Sequence, residues 1–441
     1  MSDALDLGHE GAELALLDGE GALTYAALGA EVERRARALV DAGLSPERGD
    51  RVVITPPLAR ESVLALLALL ALRVPIVLAH PRWSARERRR IVERAAPRLV
   101  LEGGAIVETH PPLARPREET AVVVFTSGTT GEPKGVCLPR RALIAAAEAH
   151  ARALPWLAHD RWLLGMPLAH VGGLSVLFRS VAARRAIVLG PDRFEPEALL
   201  ALAAEREVTL LSLVPTMLAR LLPRRPPPSL RAALLGGAAC PRELLERGRA
   251  LGWPLLPTYG LSECCAQVCT QRLDDPRPEG VGPPLPGVEV RIVDEAIEVR
   301  GATRMSGLLG EPPLPADAWL RTGDAGRLDE DGHLHVLGRL DDRIVTGGEN
   351  VDPTAVEEAL SSHPRVAAAC VVGIADATWG QRVAALVVPS GEPPSLEQLR
   401  AHLAGRLASF AHPRALRVVD ALPLTPAGKL DRRAARALLE T

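Results

Sequence analysis

Residues 121–136 read AVVVFTSGTTGEPKGV, and the rest of the chain is organised around them. Ala121 to Phe125 is a short apolar run rich in β-branched residues, which predicts a buried strand. It runs into Thr126-Ser127-Gly128-Thr129-Thr130-Gly131, too rich in glycine and hydroxyls to pack as core. Such a loop offers backbone N–H groups and hydroxyls to an anion, and Lys134 adds a point charge. That chemistry suits a polyphosphate. The spacing is not that of a Walker loop, G-x-x-x-x-G-K-[ST]: only Thr129 and Thr130 separate the two glycines, and Lys134 lies between Pro133 and Gly135. A plain surface turn between strands is the competing reading.

Upstream, the pattern alternates. A helix is expected from about Ala26 to Ala42, a strand from Asp50 to Ile54, and a helix from Ser62 to Leu72. A strand from Pro75 to Leu78, a helix from Ser84 to Ala95 and a strand from Arg98 to Leu101 follow. This alternation predicts an α/β architecture with a largely parallel sheet. The hydroxyl-rich loop then falls after a strand, where open α/β sheets take ligands. Pro139 suits the first position of a helix reaching about Leu154.

Downstream, Val208 to Leu218 reads as a strand running into a helix. Ala233 to Ala239 reads as a strand ending in Gly236-Gly237, where a flat ligand can approach the backbone closely. Pro257 to Glu263, PTYGLSE, is another strand end: Tyr259 offers an aromatic face and Glu263 a carboxylate. A single carboxylate together with phosphate oxygens is how Mg²⁺ is held. His170 precedes Gly172-Gly173, and Arg179 is the one charge in an apolar stretch; a guanidinium there needs an anionic partner, internal or ligand-borne. After Gly282 the texture becomes short strands (Val288 to Val293, Ile297 to Val299, His333 to Leu337), a β-rich unit. The last hundred or so residues read as a compact α/β segment, with helices over 352–360 and 395–408 and strands over 368–373 and 383–388.

The chain has 441 residues, enough for two or three domains. Hydrophobic residues make up 47%, which excludes general disorder, and aromatics only 3%, so the cores must be built from Leu, Val and Ala. A net charge of −2 argues against nucleic acid as a partner. The Arg-rich run Arg86 to Arg94 follows Ser84 and Glu87 in a capping-box pattern and reads as a solvated helix face. The six cysteines show no CxxC spacing, which favours a reducing, cytoplasmic compartment and disfavours zinc. The acidic N-terminus has no signal-peptide pattern, and Val63 to Leu72 is too short to span a bilayer. The sequence leaves open whether the chain works alone or as a homo-oligomer.

TSGTTGEPKG (126–135), TYGLSE (258–263), RTGD (321–324), GRLDDRI and GGENV (338–351) and PLTPAGKLDR (423–432) each resemble a signature of the acyl-adenylate-forming enzymes, in the same order. The resemblance implies a large N-terminal AMP-binding domain (1–339) of mainly parallel sheets with a β-rich subdomain. A small mobile α+β domain (340–441) would follow, with Asp341 at the hinge. It implies ATP, Mg²⁺ and, as co-substrate, CoA. Thr126, Ser127, Gly128, Thr129, Thr130, Gly131 and Lys134 would form the phosphate cradle. Gly236, Gly237, Thr258 and Tyr259 would lie on the adenine side, and Asp324 would take the ribose hydroxyls with Arg339 nearby. Ser262, where the family usually has Thr, would contact the α-phosphate; Glu263 would ligate Mg²⁺. Lys429 would reach the reacting carboxylate and α-phosphate, and Gly347 and Gly348 would line the thiol's path.

Residues 166–180, 208–222, 234–246 and 257–270 further resemble the o-succinylbenzoate–CoA ligases of menaquinone biosynthesis. That implies a substrate with two carboxylates, one activated and one read by Arg179, with His170 shaping the acyl pocket. Another acyl- or aryl-CoA ligase, or an adenylation enzyme loading a carrier protein, is the alternative. A non-catalytic adenylate-binding protein is disfavoured by the presence of Lys429 and Glu263. Two departures from the family pattern bear on the linker and the pocket: Glu295-Ala296 stands where Gly-Glu is usual, and Ala169 replaces an aromatic.

Overall fold

Runs of Leu, Val, Ile and Ala build the strands of two large sheets, whose apolar faces pack on helices. The computed structural model describes residues 4–7, 11–111, 113, 119–127, 133–315, 317–425 and 430–440; at Ser127 only the backbone is described. A seven-stranded sheet runs Gly307–Leu308, Pro133–Pro139, Thr120–Ser127, Ile76–Leu78, Val52–Thr55, Leu99–Glu102, Ala105–Thr109. Its four central strands, from Thr120–Ser127 to Leu99–Glu102, are parallel, and the outer ones antiparallel. An eight-stranded sheet runs Ala266–Thr270, Leu255–Leu261, Ala232–Leu235, Leu210–Leu213, Arg161–Leu164, Ala186–Leu189, Leu14–Asp18, Gly21–Thr24, again parallel except at its two edges. The expectation of a largely parallel α/β architecture therefore holds.

One continuous apolar cluster joins these two sheets through the helices Tyr25–Asp41, Arg60–Ala71, Arg140–Ala153 and Val171–Ala183. Arg60–Ala71 is buried along most of its length, as its nearly unbroken apolar sequence requires. The Arg-rich helix Ala85–Ala95 buries only Ile91 and Ala95, and Ser84 and Glu87 cap it reciprocally, so the solvated-face reading holds.

A four-stranded antiparallel sheet follows: Val288–Val293, Ala296–Gly301, Leu320–Leu328, Leu334–Arg339. A short turn, Leu340–Asp342, leads to a separate C-terminal sheet built on Val366–Asp376 and Gly380–Pro389, with its own apolar core. No helix among the described residues is long and apolar enough to cross a membrane.

Three local expectations need correction. The helix expected to open at Pro139 begins at Arg140 with Pro139 as its N-cap, and a strand that was not expected, Pro133–Pro139, precedes it. The strand's apolar core, Val136-Cys137-Leu138, is too short to show a period. The strand expected over 233–239 stops at Leu235, because Gly237 turns the backbone to φ +80. The helix expected over 395–408 is Leu396–Leu403, ended before Gly405 at φ +78.

Candidate active site

The Thr120–Ser127 and Pro133–Pro139 strands pair as a hairpin, with Thr126 opposite Lys134 and Ser127 opposite Pro133. The glycine- and hydroxyl-rich stretch is thus the connection between two strands. Gly128, Thr129, Thr130 and Gly131, and the side chain of Ser127, lie outside the described residues. Lys134 is exposed at the hairpin's end, free to meet an anion.

At the root of this hairpin, four rings come together. His80, just after the Ile76–Leu78 strand, has its ring centroid 4.7 Å from that of His170 and 6.2 Å from that of Trp83; Trp83 meets Phe125 edge-on at 6.2 Å. His80 Nδ1 accepts from the Arg82 backbone N–H at 3.0 Å, and burial holds its pKa below the usual histidine value, so it stands as a neutral ring. His80 was not singled out from the sequence. Its only signal was a histidine directly after a predicted strand.

On the other sheet, Gly236 lets two strands approach closely. A Cβ there would lie 2.7 Å from Thr258 Cγ2 and 2.8 Å from Thr258 O. Gly236 and Thr258, two of the residues that the resemblance sets on the adenine side, are thereby in contact. Tyr259 Oη donates to Asp324 Oδ2 at 2.6 Å, and Arg339 Nη1 donates to Asp324 Oδ1 at 3.1 Å, across the register in which Asp324 faces Arg339. Burial first, and then the Asp324 charge, push the Tyr259 pKa far up, so the hydroxyl remains a donor. Each Asp324 oxygen retains an acceptor site for a vicinal diol.

Ser262 and Glu263 occupy a single 3₁₀ turn directly after the Leu255–Leu261 strand, which ends with Cys265 at φ +54. Met305 N–H donates to Glu263 O at 2.7 Å and Ser306 N–H to Cys137 O at 2.9 Å, tying this turn to the strand that leaves the phosphate hairpin. No cluster of three or more His, Cys, Asp or Glu that could hold a metal exists among the described residues. Glu263 offers a single carboxylate at this turn, and Mg²⁺ held by one carboxylate needs phosphate oxygens to complete its shell.

Arg179 lies in the Val171–Ala183 helix with only 1% of its surface exposed. Of the two expected kinds of anionic partner, internal or ligand-borne, no internal one is bonded to it among the described residues. Nη1 donates to the amide oxygen Gln267 Oε1 at 2.5 Å, while Nε and Nη2 are buried and meet no hydrogen-bond partner. Burial pulls its pKa down from the usual 12.5 to about 9. His170 stands before the first turn of the same helix, about 13 Å away along its axis at the usual helical rise. His170 thus stands at the N-cap of this helix and Arg179 in its second half. That helix starts against the Met166-Pro167 backbone, where a Cβ on Gly173 would come within 2.3 Å of Pro167 O.

In the C-terminal unit, Gly347 and Gly348 (φ +61 and +85) turn the hairpin between Ile344–Thr346 and Glu349–Val351. Gly347 N–H donates to Trp379 O at 2.9 Å, and a Cβ at Gly347 would lie 2.6 Å from Trp379 Cε3. The indole is 41% exposed, and the Arg414 guanidinium lies over it at 4.5 Å. Trp379 and Arg414 were missed in the sequence; an isolated tryptophan in a polar turn, ADATWGQR, was the available signal. Asp341, in the Leu340–Asp342 turn, is exposed and lies 3.5 Å from Arg339 Nη2. Lys429 lies outside the described residues.

The AMP-binding enzyme family matches residues 8–111 and 103–308, and the AMP-binding enzyme C-terminal domain matches 355–429. A 2-succinylbenzoate–CoA ligase of Bacillus licheniformis is 35% identical over 95% of both chains. The Bacillus subtilis o-succinylbenzoate CoA synthetase in complex with the acyl-adenylate intermediate OSB-AMP superposes with a TM-score of 0.88 at 32% identity, covering 99% of this chain and 98% of that one. The same enzyme in complex with ATP and magnesium ion gives 0.88 at 31% identity and full coverage of both chains. With both of its parts matched in order and the fold shared from end to end, the chain belongs to the AMP-binding enzyme family.

Proposed function

We infer that this chain is an o-succinylbenzoate–CoA ligase. It activates the aliphatic carboxylate of o-succinylbenzoate with ATP, then passes the acyl group from the adenylate to CoA, releasing pyrophosphate and AMP. The observation that carries this reading is Arg179: a buried guanidinium, matched among the described residues by an amide and by no carboxylate, is suited to a second carboxylate on the substrate. The six cysteines are free, in keeping with a cytoplasmic site of action.

The residues divide the chemistry as follows. Thr126, Lys134 and the loop between them cradle the β- and γ-phosphates, so the leaving pyrophosphate is held where its charge develops. Asp324, fixed by Tyr259 and Arg339, takes the ribose hydroxyls; Gly236, Gly237 and Thr258 give the adenine room. Ser262 donates to the α-phosphate, and Glu263 holds Mg²⁺, which neutralises phosphate charge when bound. Lys429 supplies the remaining cation at the reacting centre. His170 and His80 wall the acyl entrance, the His80 ring neutral through its burial, and Arg179 reads the far carboxylate.

The domain boundary falls between Arg339 and Leu340, where the sheet changes. Rotation about Asp341 exchanges the face bearing Lys429 for the face bearing Gly347 and Gly348, so lysine and thiol use one place in turn. Trp379 with Arg414 lies beside that second face and presents an aromatic platform and a cation to the nucleotide end of CoA. Trp379→Ala is expected to raise the KM for CoA about tenfold, as one lost base-stacking contact implies. Pyrophosphate exchange without CoA should be unchanged. An unaltered KM for CoA would remove Trp379 from the site.

Burial disfavours the charged form of Arg179, but a guanidinium keeps its proton through the working pH range, so the cation is present for the second carboxylate throughout. The function is tested by acid-dependent exchange of pyrophosphate into ATP without CoA. Exchange with o-succinylbenzoate well above that with 4-oxo-4-phenylbutanoate supports the reading; equal exchange with both removes it.

A further inference from the structure

Three elements meet at Arg179: its own helix, the Arg140–Ala153 helix through His150, and the Ala266–Thr270 strand through Gln267. All three side chains are nearly inaccessible, at 1%, 1% and 4% exposure. Gln267 Oε1 accepts from Arg179 Nη1 at 2.5 Å and lies 3.0 Å from His150 Nδ1. Its Nε2 donates to Thr270 Oγ1 at 2.7 Å. The single Thr270 hydroxyl proton has an acceptor elsewhere, in the Cys269 carbonyl or the Thr258 hydroxyl, both at 2.8 Å. Thr270 therefore meets Gln267 with a lone pair, and the amide can stand only with NH₂ toward Thr270 and oxygen toward Arg179.

The oxygen so placed also sets His150. Its Nδ1 must carry the proton, and burial, with Arg179 close by, keeps the ring neutral. His150 is held in turn by stacking on Trp162, with ring centroids 4.9 Å apart, and Trp162 Nε1 donates to Ser212 Oγ at 3.2 Å. The cation is thus aimed by a rigid, fully neutral frame. Most buried guanidiniums are paired with a carboxylate. Here the position that could hold one holds its uncharged isostere.

We propose that Gln267 is a specificity-determining positioning residue: its neutral amide orients Arg179 and leaves the positive charge uncompensated, so that the pocket is completed only by an acid with a second carboxylate at that end. This rests on the o-succinylbenzoate reading above. The same network reaches Thr258, beside Gly236, so one strand pair carries both the acyl-end selectivity and the nucleotide side.

The test is Gln267→Glu, which keeps shape and places a carboxylate against Arg179. It is expected to lower kcat/KM for o-succinylbenzoate by about 100-fold through like-charge repulsion. The ratio of o-succinylbenzoate to 4-oxo-4-phenylbutanoate should invert. Gln267→Met, which keeps the charge but removes its acceptor, is expected to raise the KM for o-succinylbenzoate about tenfold with kcat little changed, the mark of lost positioning. A merely structural glutamine would depress both acids alike in both variants, and that result overturns the proposal. So does a Gln267→Glu enzyme that keeps its preference. A wild type with no preference between the two acids would instead overturn the functional reading, so the two failures are separable. If Gln267→Glu does not fold, the KM-against-kcat split of Gln267→Met decides.

Discussion

Arg179→Ala is expected to lower kcat/KM for o-succinylbenzoate by at least 100-fold while changing that for 4-oxo-4-phenylbutanoate several-fold at most. Truncating one member of a desolvated, hydrogen-bonded charge pair costs about 2–5 kcal/mol, and the substrate carboxylate would be left in a pocket without its cation. The unliganded protein should respond oppositely. A guanidinium buried against an amide destabilises the fold, so Arg179→Met, which fills the space with an apolar chain, is expected to raise Tm, by an amount that corresponds to about 1–3 kcal/mol. Loss of activity with gain of stability is the pattern of a residue kept for its ligand. Thermal melts beside kinetics on both acids check it. Loss of stability with equal losses on the two acids would make Arg179 a structural residue.

The second large effect belongs to Lys429. Attack of a carboxylate on the α-phosphorus crowds negative charge onto one centre, and a preorganised cation there is worth about 3–4 kcal/mol. Lys429→Ala is therefore expected to slow adenylate formation by about 100- to 1000-fold. Thioester formation from supplied acyl-adenylate and CoA should survive, because by then the small domain has turned that face away. Measuring the two half-reactions separately checks this. Equal loss in both would mean that Lys429 acts throughout, or on folding.

Much of this was legible in the chain. The alternation of apolar strands and helices before Leu101 declares the parallel α/β layers, and the signatures place the nucleotide residues on strand ends. Tyr259, Asp324 and Arg339, far apart in sequence, do converge. The Pro133–Pro139 strand was hidden because its apolar run is short and lies between a glycine and a proline. The frame behind Arg179 was hidden for a different reason. Gln267 and His150 look like stray polar residues in apolar segments, and only the packing of one strand on two helices makes them one network. Trp379 was passed over because a lone aromatic carries no period; its exposure and the Arg414 guanidinium above it are visible only in the fold. His170, expected to shape the acyl pocket, stands at the N-cap of the helix that carries Arg179, nine residues before it. Sequence nearness on a helix does not give a shared face.

The most direct test of the whole account is CoA-dependent release of AMP from ATP with o-succinylbenzoate, set beside benzoate, a cinnamate and a medium-chain fatty acid. The account predicts strong preference for o-succinylbenzoate. Faster turnover with one of the other acids would contradict the substrate assignment while leaving the adenylate chemistry in place. AMP release with none of them would contradict the account as a whole.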